Sequence, residues 1–196
     1  MKKIFDFVPK KSIIHIKKLL VGKKIIFLIK NKRKTKHGDF RIKGDESAQI
    51  TLNRTNNKYQ FLITLLHEIA HSETYIKYGN RVKPHGVEWK NNFRLLMIPF
   101  LNTDIFPSEI LKNLINYIKN PKASTENDFN LIMSIKKYNS NTNSNFVFEL
   151  KEGDLFKIYN GKTYKFIRKR IKRIECIEVE SQRKFLVSPQ VEVKLI

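Results

Sequence analysis

Between Lys58 and Tyr78 the chain spaces Leu62, Leu65, Leu66 and Ile69 as an α-helix requires, and sets His67-Glu68-Ile69-Ala70-His71 into the same stretch. Asn56 or Asn57 can cap the helix start, and Gly79 suits its end. Histidines interrupting an apolar helix are costly to bury without a partner. Residues four apart share a helix face, so His67 and His71 can bind one zinc ion at about 2.0–2.1 Å each. Glu68 follows the first of them, where its carboxylate can reach a metal-bound water. Zinc lowers the pKa of such a water toward about 7, and a nearby carboxylate can take its proton. The pattern is H-E-x-x-H, with Glu68 as catalytic base.

Zinc in a catalytic site needs a third protein ligand and an open fourth position. The extended H-E-x-x-H-x-x-G-x-x-H pattern fails, because Thr74 and Lys77 stand where Gly and His would be. His85, in Pro84-His85-Gly86, is the better candidate. The 13 residues separating it from His71 let the chain end the helix and fold back. Glu88 is the rival ligand. Glu73 lies on the wrong helix face, away from His67 and His71. The expected cofactor is one Zn2+ per chain.

Around this helix the pattern reads as α+β. Residues 4–20 suit an amphipathic helix, which Pro9 could open. Residues 24–31, 37–43 and 48–53 read as three strands, with a Gly44-Asp45 turn signal between the last two. Their tight connection predicts a three-stranded antiparallel sheet. Further helices are predicted from Gly86 to Pro99, from Pro107, and from after Asn127 to Tyr138. Residues 139–146, an Asn/Ser/Thr tract, read as a linker. Beyond it, 147–196 reads as a small basic β module, with runs at 146–150, 155–159, 163–170, 173–179 and 184–195 and a hairpin signal at Asn160-Gly161. The division is therefore 1–138, linker, and 147–196.

The formal net charge is +21, which favours polyanionic partners, nucleic acid first. It is concentrated. Residues 1–36 hold 13 Lys and Arg against Asp6 alone. Residues 157–173 hold eight and no acid: Lys157, Lys162, Lys165, Arg168, Lys169, Arg170, Lys172 and Arg173. Tyr159, Tyr164 and Phe166 are interleaved with them, a mixture that suits phosphate contacts plus base stacking. The alternative is a solvated strand face over core aromatics. The single cysteine, Cys176, excludes an internal disulfide and a Cys-based zinc ribbon. It reads as a small core residue. No signal peptide or membrane-spanning run is recognised, so a soluble cytoplasmic monomer is expected.

With LLHEIAH at Leu65–His71, PHGVEWK at Pro84–Lys90, KHGDFR upstream and ITLN before the helix, the sequence resembles the SprT-like family of zinc metallopeptidases, to which the Spartan proteases are related. The resemblance covers about residues 36–100 closely. It implies a minimal zincin-like domain, zinc on His67, His71 and His85, Glu68 as base, and Trp89 packed beneath the third ligand. It also implies that strand 48–53 is the edge to which an extended substrate adds. Spartan-type relatives digest proteins crosslinked to DNA, so the expected substrate is a DNA-associated protein. Many bacterial members carry a Cys-rich ribbon that this chain cannot build from Cys176. Two other readings stay open. One is a nucleic-acid-binding or regulatory protein with a structural or weakly active zinc site. The other is a peptidase without a DNA role. Tyr75 and Tyr78 could steady an oxyanion but suit helix packing better. His37 reads as a turn or sheet residue and His15 as a solvated one.

Overall fold

The computed structural model describes residues 2–31, 33, 36–44, 47–125, 128–139 and 145–196. The chain divides into two units, Met1–Ser140 and Asn141–Ile196. Asp45 of the turn signal, Asn127, Lys32 and Lys34 of the first basic run, and residues 140–144 of the polar tract lie outside the described residues.

The first unit is organised around the helix Lys58–Tyr78 (α3). Its start is fixed by Asn57, whose side chain accepts hydrogen bonds from the backbone N–H of Tyr59 and Gln60 at 3.2 and 3.0 Å. The Asn57 amide also donates to the Ile135 carbonyl at 2.7 Å, tying the helix start to Phe129–Lys136 (α6). Gly79 ends the helix at φ +59. Phe61, Leu62, Ile63, Leu65, Leu66, Ile69 and Ala70 are all fully buried. A helix apolar on so many sides is a core helix rather than a surface one. Strands Gly38–Ile42 (β2) and Ala48–Asn53 (β3) and helix Val87–Met97 (α4) all pack on it. Ser108–Lys119 (α5) packs on α4 and α6.

The sheet order is β1-β3-β2, with β1 at Ile25–Lys30. β2 and β3 pair antiparallel, but β1 and β3 pair parallel. The expected all-antiparallel sheet is therefore a mixed one. The short β2–β3 turn makes a hairpin of neighbours. The longer β1–β2 connection instead leaves a gap one strand wide, and β3 enters it running alongside β1. A second correction follows. Strand 48–53 is the central strand, so it cannot be the edge that receives a substrate; β1 and β2 are the edges.

Pro9 breaks the expected helix over 4–20. It sits at φ −57, ψ 133, outside helical geometry, and has no N–H to donate. The chain instead forms Lys2–Phe5 (α1), a 3-10 turn at Lys10–Ser12, and Ile13–Leu20 (α2).

The second unit is a six-stranded sheet in the order β4-β9-β5-β6-β7-β8. Its strands are Asn145–Phe146, Leu155–Lys157, Thr163–Lys169, Ile174–Glu178, Lys184–Val187 and Glu192–Leu195 (β4 to β9). Neighbouring strands of this sheet pair antiparallel throughout. The run 184–195 is two strands rather than one, interrupted at Ser188–Val191 where Pro189 falls. Asn160-Gly161 turns the β5–β6 hairpin, with Gly161 at φ +79. Phe156, Tyr164, Phe166, Ile174 and Cys176 form its core. Burial raises the Cys176 thiol to about 11, with Glu175 adding to the effect, so the side chain behaves as the core residue expected.

Candidate metal centre

Helix α3 presents His67 and His71 one turn apart, and the chain returns after Gly79 to bring His85 against them. The Nε2 atoms form a nearly equilateral triangle: His67–His71 3.2 Å, His67–His85 3.1 Å, His71–His85 3.0 Å. Ligands about 2.0–2.1 Å from a tetrahedral zinc lie about 3.3–3.4 Å from one another, so this nitrogen set fits such an ion closely. Among the described residues it is the one His/Cys/Asp/Glu group so arranged. Glu88 is not in it, and Glu73 is drawn away into an ion pair with Lys23.

His85 is delivered by a strained turn. Its φ is +59, a left-handed conformation uncommon for a residue with a side chain. Gly86 closes the turn by donating its N–H to the Lys83 carbonyl at 2.9 Å. A Cβ at Gly86 would itself lie 2.9 Å from that oxygen, so only glycine fits. Trp89, fully buried, lies beneath the cluster, its ring 4.6, 5.2 and 4.7 Å from the rings of His67, His71 and His85. Phe93 stacks under Trp89 at 5.1 Å.

Burial keeps all three imidazoles neutral. It lowers His67 to about 2, with His71 and His85 adding to the shift, and His71 to about 4, with His85 adding. His85 is lowered by burial too. Neutral imidazole is the form that ligates metal.

Glu68 is buried beside the cluster. Burial raises its pKa to about 8; the charge of Asp39 adds to this, while Arg33 and Lys36 oppose it. Its carboxylate forms no hydrogen bond or ion pair among the described residues. Gly38, within the KHGDFR segment, makes room for it. A Cβ on Gly38 would lie 2.7 Å from Glu68 Oε1 and 2.8 Å from its Cγ, so β2 can run this close only with glycine there. A lone Gly in a strand pattern is the one available signal.

A cavity of about 710 Å3 joins the cluster to β2 and to the cationic loop before it. Tyr75 lines it and packs on Phe40 at 5.9 Å; Tyr78 lies outside it, beneath Lys77. His37 also lines it, close to the Gln60 amide. His15 is half-buried against Phe100 rather than solvated.

In the second unit all eight named basic residues are exposed. Three of them are engaged. Lys162 pairs with Glu178 at 2.5 Å, and Arg168 and Arg170 converge on Glu175 at 3.0 and 2.7 Å. Lys157, Lys165, Lys169, Lys172 and Arg173 form no ion pair among the described residues. Tyr164 and Phe166 are core residues, which corrects the expectation that they could stack on bases; of the three interleaved aromatics only Tyr159 is exposed.

An α+β domain with three histidines converging from one helix and the following turn, and a buried glutamate beside them, defines a metallopeptidase-like class. Residues 15–104, which hold β1 to β3, α3, the His85 turn and α4, match the family model described as SprT-like, a match that supports membership of this part of the chain in the SprT-like family. That family is zinc-associated. Neither the curated proteins nor the solved structures returned a match. No helix among the described residues is long and apolar enough to cross a membrane.

Proposed function

We propose that the first unit is a zinc-dependent endopeptidase of minimal zincin-like architecture. The observation that carries this reading is the triangle of His67, His71 and His85 nitrogens, with Glu68 beside it on the same helix. Zinc, when bound there, supplies Lewis acidity that lowers the pKa of water toward about 7 and polarises a peptide carbonyl. Glu68 handles the proton. Its carboxylate takes one from the attacking water and passes it to the leaving amide nitrogen.

The substrate lies extended along β2. His37 and Lys43 are bonded to β3, through Asn53 N–H to the His37 carbonyl at 2.8 Å and Lys43 N–H to the Ser47 carbonyl at 3.0 Å. By alternation, Gly38, Phe40 and Ile42 turn their backbone groups to the free edge. A peptide added there runs past Glu68. The proposed substrates are proteins on or near DNA, recruited through the exposed basic residues of the second unit, Lys157, Lys165, Lys169, Lys172 and Arg173.

Zinc-loaded Glu68→Gln protein tests the mechanism. Cleavage of a denatured protein should be lost while zinc content and DNA binding stay at wild-type values. Wild-type rates in that variant would overturn the assignment of Glu68.

A further inference from the structure

Asp39, on β2 next to Gly38, is half-buried and draws three cations to itself. Arg33 pairs with one carboxylate oxygen, Lys36 reaches the same oxygen at 3.2 Å, and Arg41 reaches the other at 3.2 Å. Burial alone would raise the Asp39 pKa, but hydrogen bonds and charge from Arg33 and Lys36 overcome it and hold the group below its ordinary value. Among the described residues one negative charge thus faces three positive ones, a surplus of two.

Arg33 is built in, its side chain 23% exposed, while Lys36 and Arg41 reach Asp39 from more open positions. Buried Asn53, at the end of β3, clamps the segment that carries Arg33 and Lys36. Its carbonyl accepts from Arg33 Nε at 2.7 Å, and its amide donates to the carbonyls of Arg33 and Lys36 at 3.3 and 2.7 Å. Arg33 also reaches the Thr51 carbonyl at 3.4 Å. A guanidinium has five N–H donors and an ammonium three, so both side chains keep donors to spare. Arg33 and Lys36 line the same cavity as His67, Glu68 and His71, and Lys83 lines it as well. Among the described residues, Asp39 and Glu68 are the only acids that line it.

We propose that Arg33 and Lys36, held by Asn53 and Asp39, form a subsite for an acidic side chain of the bound peptide. An extended strand along β2 places every second side chain on the Asp39 and Arg41 side, opposite Gly38 and Phe40. There an Asp or Glu neutralises the surplus charge, and a Lys or Arg meets repulsion. Charge complementarity of this kind selects partners more than it adds raw affinity. The proposal rests on the peptidase reading for its geometry, but its test does not depend on turnover.

The test measures binding of labelled extended peptides to zinc-loaded, full-length Glu68→Gln protein by fluorescence anisotropy. The peptides are C-terminally amidated and differ only in carrying Glu, Gln or Lys at alternate positions. Glu peptides should bind about tenfold tighter than Gln peptides at low salt, and Lys peptides more weakly than either. Adding Lys36→Gln should shrink the preference, and Lys36→Glu should abolish or reverse it. Equal affinity for Glu and Gln peptides overturns the subsite, as does a preference untouched by both substitutions. A Gln peptide with a free C-terminus that binds as tightly as the amidated Glu peptide reassigns the site to a chain-terminal carboxylate and overturns it too. So does single-stranded DNA that binds through Lys36 where no peptide preference exists. The active chain separates the two readings. A Glu preference in binding with no cleavage of any peptide sinks the peptidase and leaves the subsite. Equal kcat/KM for Glu and Gln peptides sinks the subsite and leaves the peptidase.

Discussion

Glu68 in the first unit and Glu175 in the second are buried to nearly the same degree, 6% and 5% exposed, yet they sit in opposite electrostatic settings. Glu175 receives Arg168 and Arg170 directly, with Lys184 at 3.9 Å, and hydrogen bonds from the two arginines lower its pKa. Glu178 on the same strand is lowered by its hydrogen bonds to Lys162 and Ser181. Glu68 makes no such bond, lies near another carboxylate, and is raised to about 8. A buried carboxylate with cations around it holds a fold together. One kept without a partner costs stability and is retained for what it does. On the proposed reading the difference separates a working carboxylate, Glu68, from a structural one, Glu175, although both belong to strongly basic surroundings.

The largest effect that could break this contrast is in Glu68→Gln. Peptide cleavage should fall about 10²–10⁴-fold, and the melting temperature should hold or rise, because a desolvated carboxyl that costs free energy to ionise is replaced by a neutral amide of the same shape. A marked fall in melting temperature would mean that Glu68 is structural after all. Gly38→Ala comes next. Its new Cβ must displace the Glu68 carboxyl, so activity should drop about 10²-fold with zinc content unchanged. Full activity in that variant would show that the β2 approach does not position Glu68. The smaller effects belong to the second unit. Glu175→Gln should lower its melting temperature by stranding Arg168 and Arg170, and leave zinc content as it was. Its pH dependence has a definite sign. Glu175 and Glu178 have folded pKa values below the ordinary 4.5, so the stability they contribute is complete above that pH. It is lost as pH falls through the lowered values. Thermal melts of wild type and Glu175→Gln should converge as the pH is taken well below 4.5, and a constant gap would contradict the assignment.

Local chemistry made much of this legible in the sequence. The span of α3, its cap at Asn57 and its end at Gly79 each depend on residues within a turn of one another. So does the pairing of His67 with His71 on one face. What depends on distant chain was harder to read. The direction of β1 relative to β3 follows from which strand fills the gap left by the 31–37 connection, and no strand's own alternation reports that. Pro9 could open a helix or break one, and its extended backbone, at ψ 133, breaks it. Tyr164 and Phe166 point inward because β6 alternates, while the charge count around them does not distinguish the two faces. Gly38 acts through a missing side chain, so its role is visible only once Glu68 is its neighbour. The Asn53 clamp joins residues 17 and 20 positions apart, and neither end carries a motif.

The central claim is that three histidines hold a metal for Glu68 to work beside. Elemental analysis of wild-type and His85→Ala protein, each reconstituted with zinc and then desalted, tests it most directly. The account predicts about one zinc per wild-type chain and loss of most of it in the variant. Wild-type protein that holds no zinc, or a variant that retains it in full, would contradict the account.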